Sequence, residues 1–387
     1  MNVQVHTLDD LVRKLDPEAR GGTSQTYFLN LGPQHPAAHG VLRILLRLDG
    51  ETVIKAVPVL GYIHRGLEKM GEHITCRQFI HLTDRLDYLS AVMNNWAVSR
   101  TVERAAGIEV SPRAEWIRTI MAELQRLQSH LLWLGVLGMD LGAFTAFLWC
   151  FRDREELTYI LEETIGARLT MNYILPGGVM SDIHPDFAAR VKKYLAYVRP
   201  KLAEYETLLS GNIIFEERLR NIGQLPAEEA GGLGATGPVL RASGVPLDLR
   251  KVEPYGAYGR LEFSVPVGTI GDCWDRYWVR FEEMRQSIAM IEQLLDGIPE
   301  GPHMTIKPVS KIKLPEGVHY GQVETARGIL GVFIAATGES DVPYRIHLRS
   351  PTFNNLWSVT RLAPGWRVAD LVAILSTLDL VIPDIER

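Results

Sequence analysis

Leu131 to Phe151 reads LLWLGVLGMDLGAFTAFLWCF, and Asp140 is its only ionisable residue. A stretch this long and this apolar either crosses a bilayer or lies deep inside a protein. A carboxylate at the middle of a membrane span is costly. The stretch also continues a pattern that is amphipathic upstream, where Ile117, Ile120, Leu124, Leu127, Leu131 and Leu134 recur at helical spacing. The spacing therefore predicts a helix buried in protein, with a membrane span as the alternative. A carboxyl buried at Asp140 then needs a partner.

The chain has 387 residues, 46% hydrophobic and 22% charged, enough to build a sizeable core. A net charge of -5 argues against a nucleic-acid binder, which would carry a basic patch. Cys76, Cys150 and Cys273 are far apart in sequence, with no cluster-type spacing and no evident disulfide framework. They point to a reducing compartment. The opening MNVQVHTLDDLVRKLDPEAR has no apolar core of a secretory signal, so none is expected.

Periodicity divides the chain. TYFLNL and VLRILLRL read as strands, the second with Leu42, Ile44, Leu46 and Leu48 on one face, and Asp49-Gly50 as a hairpin signal before ETVIKAVPV. From about residue 61 the period becomes helical, with two or three helices up to residue 107 and another started by Ser111-Pro112. Further helices are predicted over FRDREELTYILEETIGARL, over FAARVKKYLAYVRPKLAEYETLLSG with an interruption at Pro200, and over GDCWDRYWVRFEEMRQSIAMIEQLLDGI. Residues 222–268, rich in Gly and Pro, are predicted as loops with short strands. VHYGQVETARGILGVFIAATG and PYRIHLRSP suggest a second small sheet, and a short helix closes the chain. The expected class is α+β, mainly α: a helical bundle flanked by small antiparallel sheets. Its parts are an N-terminal extension (1–24), a β region (25–60), a helical core (61–300, with the 222–268 insertion) and a C-terminal β region with its tail (301–387).

Several side chains stand out. His35 and His39 sit in the loop between the first two strands, among Pro33, Pro36 and Gly40. Prolines disfavour the helix that would make a four-residue spacing a metal pair, and no further ligand follows at useful spacing, so a metal site is the minor reading. A bland loop and a functional imidazole both stay open. TDRLDYLS (83–90) packs Asp84, Arg85, Asp87 and Tyr88 together, and its plain reading is a solvated helix face with an ion pair. GYIHRGLEK (61–69) carries His64 and Arg65 between glycines. No phosphate loop or dinucleotide fingerprint is present.

Taken together, GPQHPAAHG, GYIHRGLEK, TDRLDYLS, GARLTMNYILPGGV, TGPVLRASGVPLDLRK and LDLVIPDIER closely resemble the 49-kDa (D-type) subunit family of NADH–quinone oxidoreductase, respiratory complex I. The resemblance runs from about residue 25 to the end. That family is itself similar to the large subunit of nickel–iron hydrogenases, whose R-x-C-G-x-C and D-P-C-x-x-C patterns hold metal. Here Arg85-Leu86-Asp87-Tyr88-Leu89-Ser90 and Asp379-Leu380-Val381-Ile382-Pro383-Asp384 stand in those places, and all four thiolates are gone, so no metal site is expected. The resemblance implies a hydrogenase-like bundle whose vacated cavity takes a quinone headgroup. It implies His39 and Tyr88 as headgroup ligands, Asp140 as the partner of His39, and Arg65 near the terminal iron–sulfur cluster of a neighbouring subunit.

By the same implication this chain binds no cofactor tightly. Quinone is the substrate, and NADH and the iron–sulfur clusters, including the terminal 4Fe–4S cluster, belong to partner subunits of the peripheral arm. A multi-span membrane subunit adjoins it. The chain is expected on the cytoplasmic side of a bacterial inner membrane, as a peripheral part of a proton-translocating oxidoreductase. The alternatives are the homologous subunit of a complex fed by ferredoxin or another donor, and a purely structural scaffold.

Overall fold

The computed structural model describes residues 26–35, 40–307 and 311–387. The expected extension at 1–24 and the candidate His39 lie outside the described residues. The chain is α+β and mainly helical.

Strands β1 (Thr26–Leu31), β2 (Arg43–Asp49) and β3 (Thr52–Val59) form an antiparallel sheet in that order. Alternation decides which face is inside: Leu42, Ile44, Leu46 and Leu48 are buried, whereas Arg43 and Arg47 are only half-buried. The turn itself is Gly50-Glu51, since Asp49 pairs with Thr52, and Gly50 supplies the left-handed φ of 56°.

Seven helices of eight residues or more follow among the described residues. They are α1 (Cys76–Thr83), α2 (Ala91–Ala106), α3 (Pro112–Asp140), α4 (Phe144–Ile165), α5 (Phe187–Tyr205), α6 (Cys273–Leu295) and α7 (Val368–Leu378). Helix α3 begins as its sequence predicts. The Ser111 hydroxyl accepts from the Ala114 N–H at 3.0 Å, with Pro112 in the first helical position. Between α4 and α5 lies a two-strand ribbon, β4 (Ile174–Leu175) and β5 (Gly178–Val179). After α6, strands β6 (Gly317–Thr325), β7 (Gly328–Ala336) and β8 (Arg345–Arg349) form the second antiparallel sheet.

Three expectations are corrected. The apolar stretch 131–151 is not one helix. Helix α3 ends at Asp140, Gly142 turns the chain at φ 89°, and α4 returns alongside. Small residues allow that return: a Cβ on Gly138 would stand 2.9 Å from the Ala146 Cβ, and one on Gly135 would stand 3.0 Å from the Cys150 Cβ. The stretch buries itself against itself, and among the described residues no helix is long and apolar enough to cross a membrane.

Pro200 does not interrupt α5. Its missing N–H would serve the Ala196 carbonyl, and both residues face solvent, while Val191, Tyr194, Leu195, Val198 and Leu202 hold the inner face. Residues 222–268 contain short helices, Ala227–Gly232, Pro238–Ala242 and Leu249–Val252, where strands were expected. Arg241, paired with Glu283, and Arg250, paired with Glu123, are fully buried and tie this segment to the bundle through charge rather than through a ladder.

Helix α3 is the axis of the bundle. Its apolar stripe is fully buried, but so are Arg118, Glu123, Arg126 and His130 on its other faces. Each has a partner. Arg118 reaches Glu103 at 2.6 Å and the Leu175 carbonyl at 2.7 Å. Glu123 accepts from Tyr258 at 2.6 Å and Ser287 at 2.7 Å and pairs with Arg250 at 3.1 Å. Arg126 donates to the Thr325 carbonyl at 2.7 Å. His130 Nε2 and Glu283 are 3.0 Å apart, and Arg241 joins Glu283 to Glu324. Buried charges on this scale persist only when paired.

One close approach is easily tested. Gly237 has φ 63°, and a Cβ there would lie 2.4 Å from the Gly328 Cα and 2.6 Å from the Arg327 carbonyl oxygen. Gly237→Ala is expected to destabilise the protein by about 1–3 kcal/mol, since left-handed strain and a backbone clash coincide. An unchanged midpoint in denaturant unfolding would show that the hairpin tip carrying Arg327 can yield.

Candidate functional site

The loop 84–90, between α1 and α2, is shaped by its own backbone and by Asn94. The Asn94 amide donates to the Thr83 carbonyl at 3.1 Å and to the Asp87 carbonyl at 3.0 Å. Asp87 turns inward and is buried, with its Oδ1 accepting from the Leu89 N–H at 3.1 Å. Tyr88 is half-buried. The plain expectation of a solvated face therefore fails here for Asp87, although Arg85, paired with Asp84, does face solvent.

Asp87 meets Arg327, from the tip of the β6–β7 hairpin. Arg327 Nη1 lies 2.9 Å from Asp87 Oδ2 and 2.9 Å from the Ser129 hydroxyl, and Nη2 lies 3.0 Å from Asp379 Oδ1. Burial opposes the charge on this guanidinium, but Asp379 and Asp87 outweigh it and hold Arg327 above the usual arginine range. Thus the segments around 87 and 379, far apart in sequence, share one buried cation.

Asp379 follows the last turn of α7 in a left-handed conformation, φ 55°. That turn is crowded with donors. Trp133 Nε1 donates to the Ser376 carbonyl at 2.8 Å, Arg280 to the Thr377 carbonyl at 2.8 Å, and Arg276 to the Thr377 hydroxyl at 3.1 Å. Guanidinium groups at a helix C-terminus satisfy its orphan carbonyls and its negative end. On the other side, the Ser376 hydroxyl donates to Asp140, the last residue of α3 and itself half-buried. The stretch Ser376–Asp379 therefore touches Asp140 directly and reaches the Tyr88 loop through Arg327.

Burial pushes the Tyr88 phenol above its ordinary value, Asp87 and Asp379 add to this, and Arg327 pulls the other way. Tyr88 is consequently a phenol, a hydrogen-bond donor, across the physiological range. Asp384 is buried and has its carboxyl pushed up to about 6 by burial and by the charge of Asp87.

Of the residues singled out by sequence, Asp140 contacts the Ser376–Asp379 stretch and Asp87, beside Tyr88 in the chain, reaches it through Arg327. His39 lies outside the described residues; its flanks, His35 and Gly40, form a bridge that closes the loop. Arg65 stands elsewhere, exposed. Its Nη2 donates to the Arg85 carbonyl at 3.0 Å and the Pro383 carbonyl at 3.1 Å, and so holds the two segments together from outside. A cavity of about 440 Å³ opens on this side, lined by His64, Glu68, Arg345, Glu386 and Arg387, but Tyr88 does not line it. Among the described residues no group of three or more His, Cys, Asp or Glu is placed to hold a metal ion, and the three cysteines are buried and free.

Sequence reasoning missed Arg327, Ser376 and Arg280. Arg327 lies in the stretch read only as part of the second small sheet. The signal was its isolation in TARGILGVFI, a single cation in an apolar run.

This architecture, a charged helical bundle with a helical hairpin and two small sheets, has known counterparts. The family described as respiratory-chain NADH dehydrogenase, 49 Kd subunit, matches residues 140–311 and 308–387. The D-type NADH-quinone oxidoreductase subunit of Desulforamulus reducens is 48% identical over 363 residues, 94% of this chain and 99% of that protein. The C/D-type NADH-quinone oxidoreductase subunit of Bacteroides thetaiotaomicron is 49% identical over 94% of this chain and 68% of its own length. Among solved structures, a chain of the membrane-bound sulfane sulfur reductase, an archaeal respiratory membrane complex, superposes with a TM-score of 0.90 at 37% identity, covering 95% of this chain and 100% of that one. The chain belongs to the 49-kDa subunit family of respiratory-chain NADH dehydrogenase. It is an oxidoreductase subunit of a multi-subunit complex.

Proposed function

We propose that this chain is the quinone-site subunit of a proton-translocating NADH:quinone oxidoreductase. The observation that carries the reading is the shared anchor: Asp140 meets Ser376 directly, and Asp87, next to Tyr88 in the chain, is tied to Asp379 through Arg327.

Quinone reduction takes electrons from a partner subunit's iron–sulfur cluster and protons from the site. Tyr88, its phenol kept protonated by burial, donates a hydrogen bond to one carbonyl oxygen of the headgroup and then its proton. His39 serves the opposite carbonyl, with Asp140 as the group that orients its imidazole and stabilises the charged form. Ser376 holds Asp140 in place for that task. When His39 gives up its proton, Asp140 loses its counter-charge. That change is the step coupled to rearrangement toward the membrane partner. Arg65, outside, faces the cluster-bearing subunit. The complex sits on the cytoplasmic face of a bacterial inner membrane.

A second reading has one observation behind it: the structural relative belongs to a sulfane sulfur reductase complex. In that reading the same site serves a complex with another donor or acceptor.

Photolabelling the assembled complex with a quinone analogue decides the point. Label on the peptide containing Tyr88, displaced by excess quinone, is the expected result. Label that avoids both the 84–90 and the 376–384 segments removes the quinone site from this chain.

A further inference from the structure

Glu386 is held firmly and left incomplete. It is 5% exposed. Its Oε2 accepts from the Ile63 N–H at 2.7 Å, and its main-chain carbonyl accepts from His64 Nδ1 at 2.6 Å. Two bonds from the 61–66 segment therefore fix where this side chain lies. Its other carboxylate oxygen, Oε1, is buried and has no hydrogen-bond partner among the described residues. A buried carboxylate oxygen without a donor is costly, and native structures leave few of them.

Glu386 belongs to the wall of the cavity of about 440 Å³, with His64, Glu68, Arg345, Phe353 and Arg387. The cations of that wall are already engaged. Arg387 Nε lies 3.0 Å from Glu68, Arg345 pairs with Glu68 at 3.0 Å and with Glu72 at 2.9 Å, and Lys69 pairs with Glu72. What the cavity lacks is a positive charge for Glu386, so its occupant brings one.

The surroundings say what kind of molecule carries that charge. A small-molecule pocket is mostly apolar with a few polar groups, whereas this wall is mostly charged. A lipid surface is gripped by cations that are free to meet it, and here they are paired within the wall. Around the opening, Tyr62, Met70 and Tyr344, each next in sequence to a residue of the wall, are exposed, and so is Phe353 in the wall itself. Exposed aromatics and methionine around a polar pocket are the composition of a protein interface, with arginine the charged residue most used as its anchor.

We propose that this cavity receives an arginine side chain of a neighbouring subunit, whose guanidinium completes Glu386. Arginine suits the site better than lysine. Its planar fork meets both oxygens of a carboxylate, and it sheds water more readily than an ammonium. The proposal needs only that the chain is a subunit of a complex, and it stands apart from the quinone reading.

The test uses the purified, assembled complex. p-Benzoylphenylalanine replaces Phe353, and after irradiation the cross-linked peptide is sequenced. The expected product joins this chain to a peptide of another subunit of the complex, with an arginine close to the point of attachment. Cross-links only to lipid, to a second copy of this chain, to its own residues 1–25 or to a peptide without arginine overturn the proposal, and so does the lack of any cross-link.

Glu386→Gln sets an N–H donor against the guanidinium. It is expected to release that subunit about tenfold faster or more on dilution, with association nearly unchanged, because losing one member of a buried charge pair acts on dissociation. Substituting Gln for the cross-linked arginine should produce the same loss, and the double variant should lose no more than either single one. Wild-type release from the Glu386→Gln complex, or losses that add in the double variant, overturn the proposal. The arginine substitution leaves this chain intact, so it decides the matter if Glu386→Gln fails to assemble: wild-type release there overturns the proposal equally.

Discussion

Replacing Tyr88 with Phe is expected to lower quinone reduction by about a hundredfold or more, the usual scale for losing a positioned proton donor. The change keeps the ring and removes the hydroxyl. No hydrogen bond within the described residues depends on that hydroxyl, so stability should move by no more than about 0.5 kcal/mol. Reduction of a hydrophilic acceptor from NADH should be untouched, because under the proposed function electrons leave for that acceptor without passing through the phenol. The combination is the informative part. A loss confined to quinone, with normal unfolding and normal upstream transfer, assigns the phenol to chemistry. Quinone turnover equal to wild type removes Tyr88 from the mechanism.

The largest stability effect should come from Arg327. Arg327→Leu leaves Asp87 and Asp379 buried without their cation, and breaking such an arrangement costs about 3–5 kcal/mol. Against a typical total of about 5–15 kcal/mol, that is enough to prevent assembly. Most of the cost comes from the orphaned carboxylates rather than from the lost bonds. The triple variant Arg327→Leu, Asp87→Asn, Asp379→Asn should therefore recover much of the loss. Arg327→Lys should fall between, since an ammonium cannot fork toward two carboxylates and Ser129 at once. Denaturant unfolding and yield of assembled complex read both effects. A stable Arg327→Leu protein would mean that water or a rearranged loop satisfies the two acids.

Much of the fold was legible from period alone. The alternation in VLRILLRL placed β2 and its buried face, and the stripe from Ile117 to Leu134 placed α3. Where period failed, a local rule was overruled by tertiary contact. Pro200 was tolerated because it faces solvent, and the apolar run 131–151 folded back because Gly135 and Gly138 let two helices touch. The 222–268 segment escaped because its order comes from buried arginines, which no apolar pattern announces.

The sequence by itself determined the element types, the family, and Tyr88 and Asp140 as residues of interest, because periodicity and motif strings are local properties. Only the tertiary structure decided what those residues face. Arg327 lies 240 positions from Asp87 and 52 from Asp379, and Ser376 lies 236 from Asp140. Hydrophobic spacing reports which side of a helix leaves water; it carries no information about the charge waiting there, and a buried charge shifts the protonation of its neighbours.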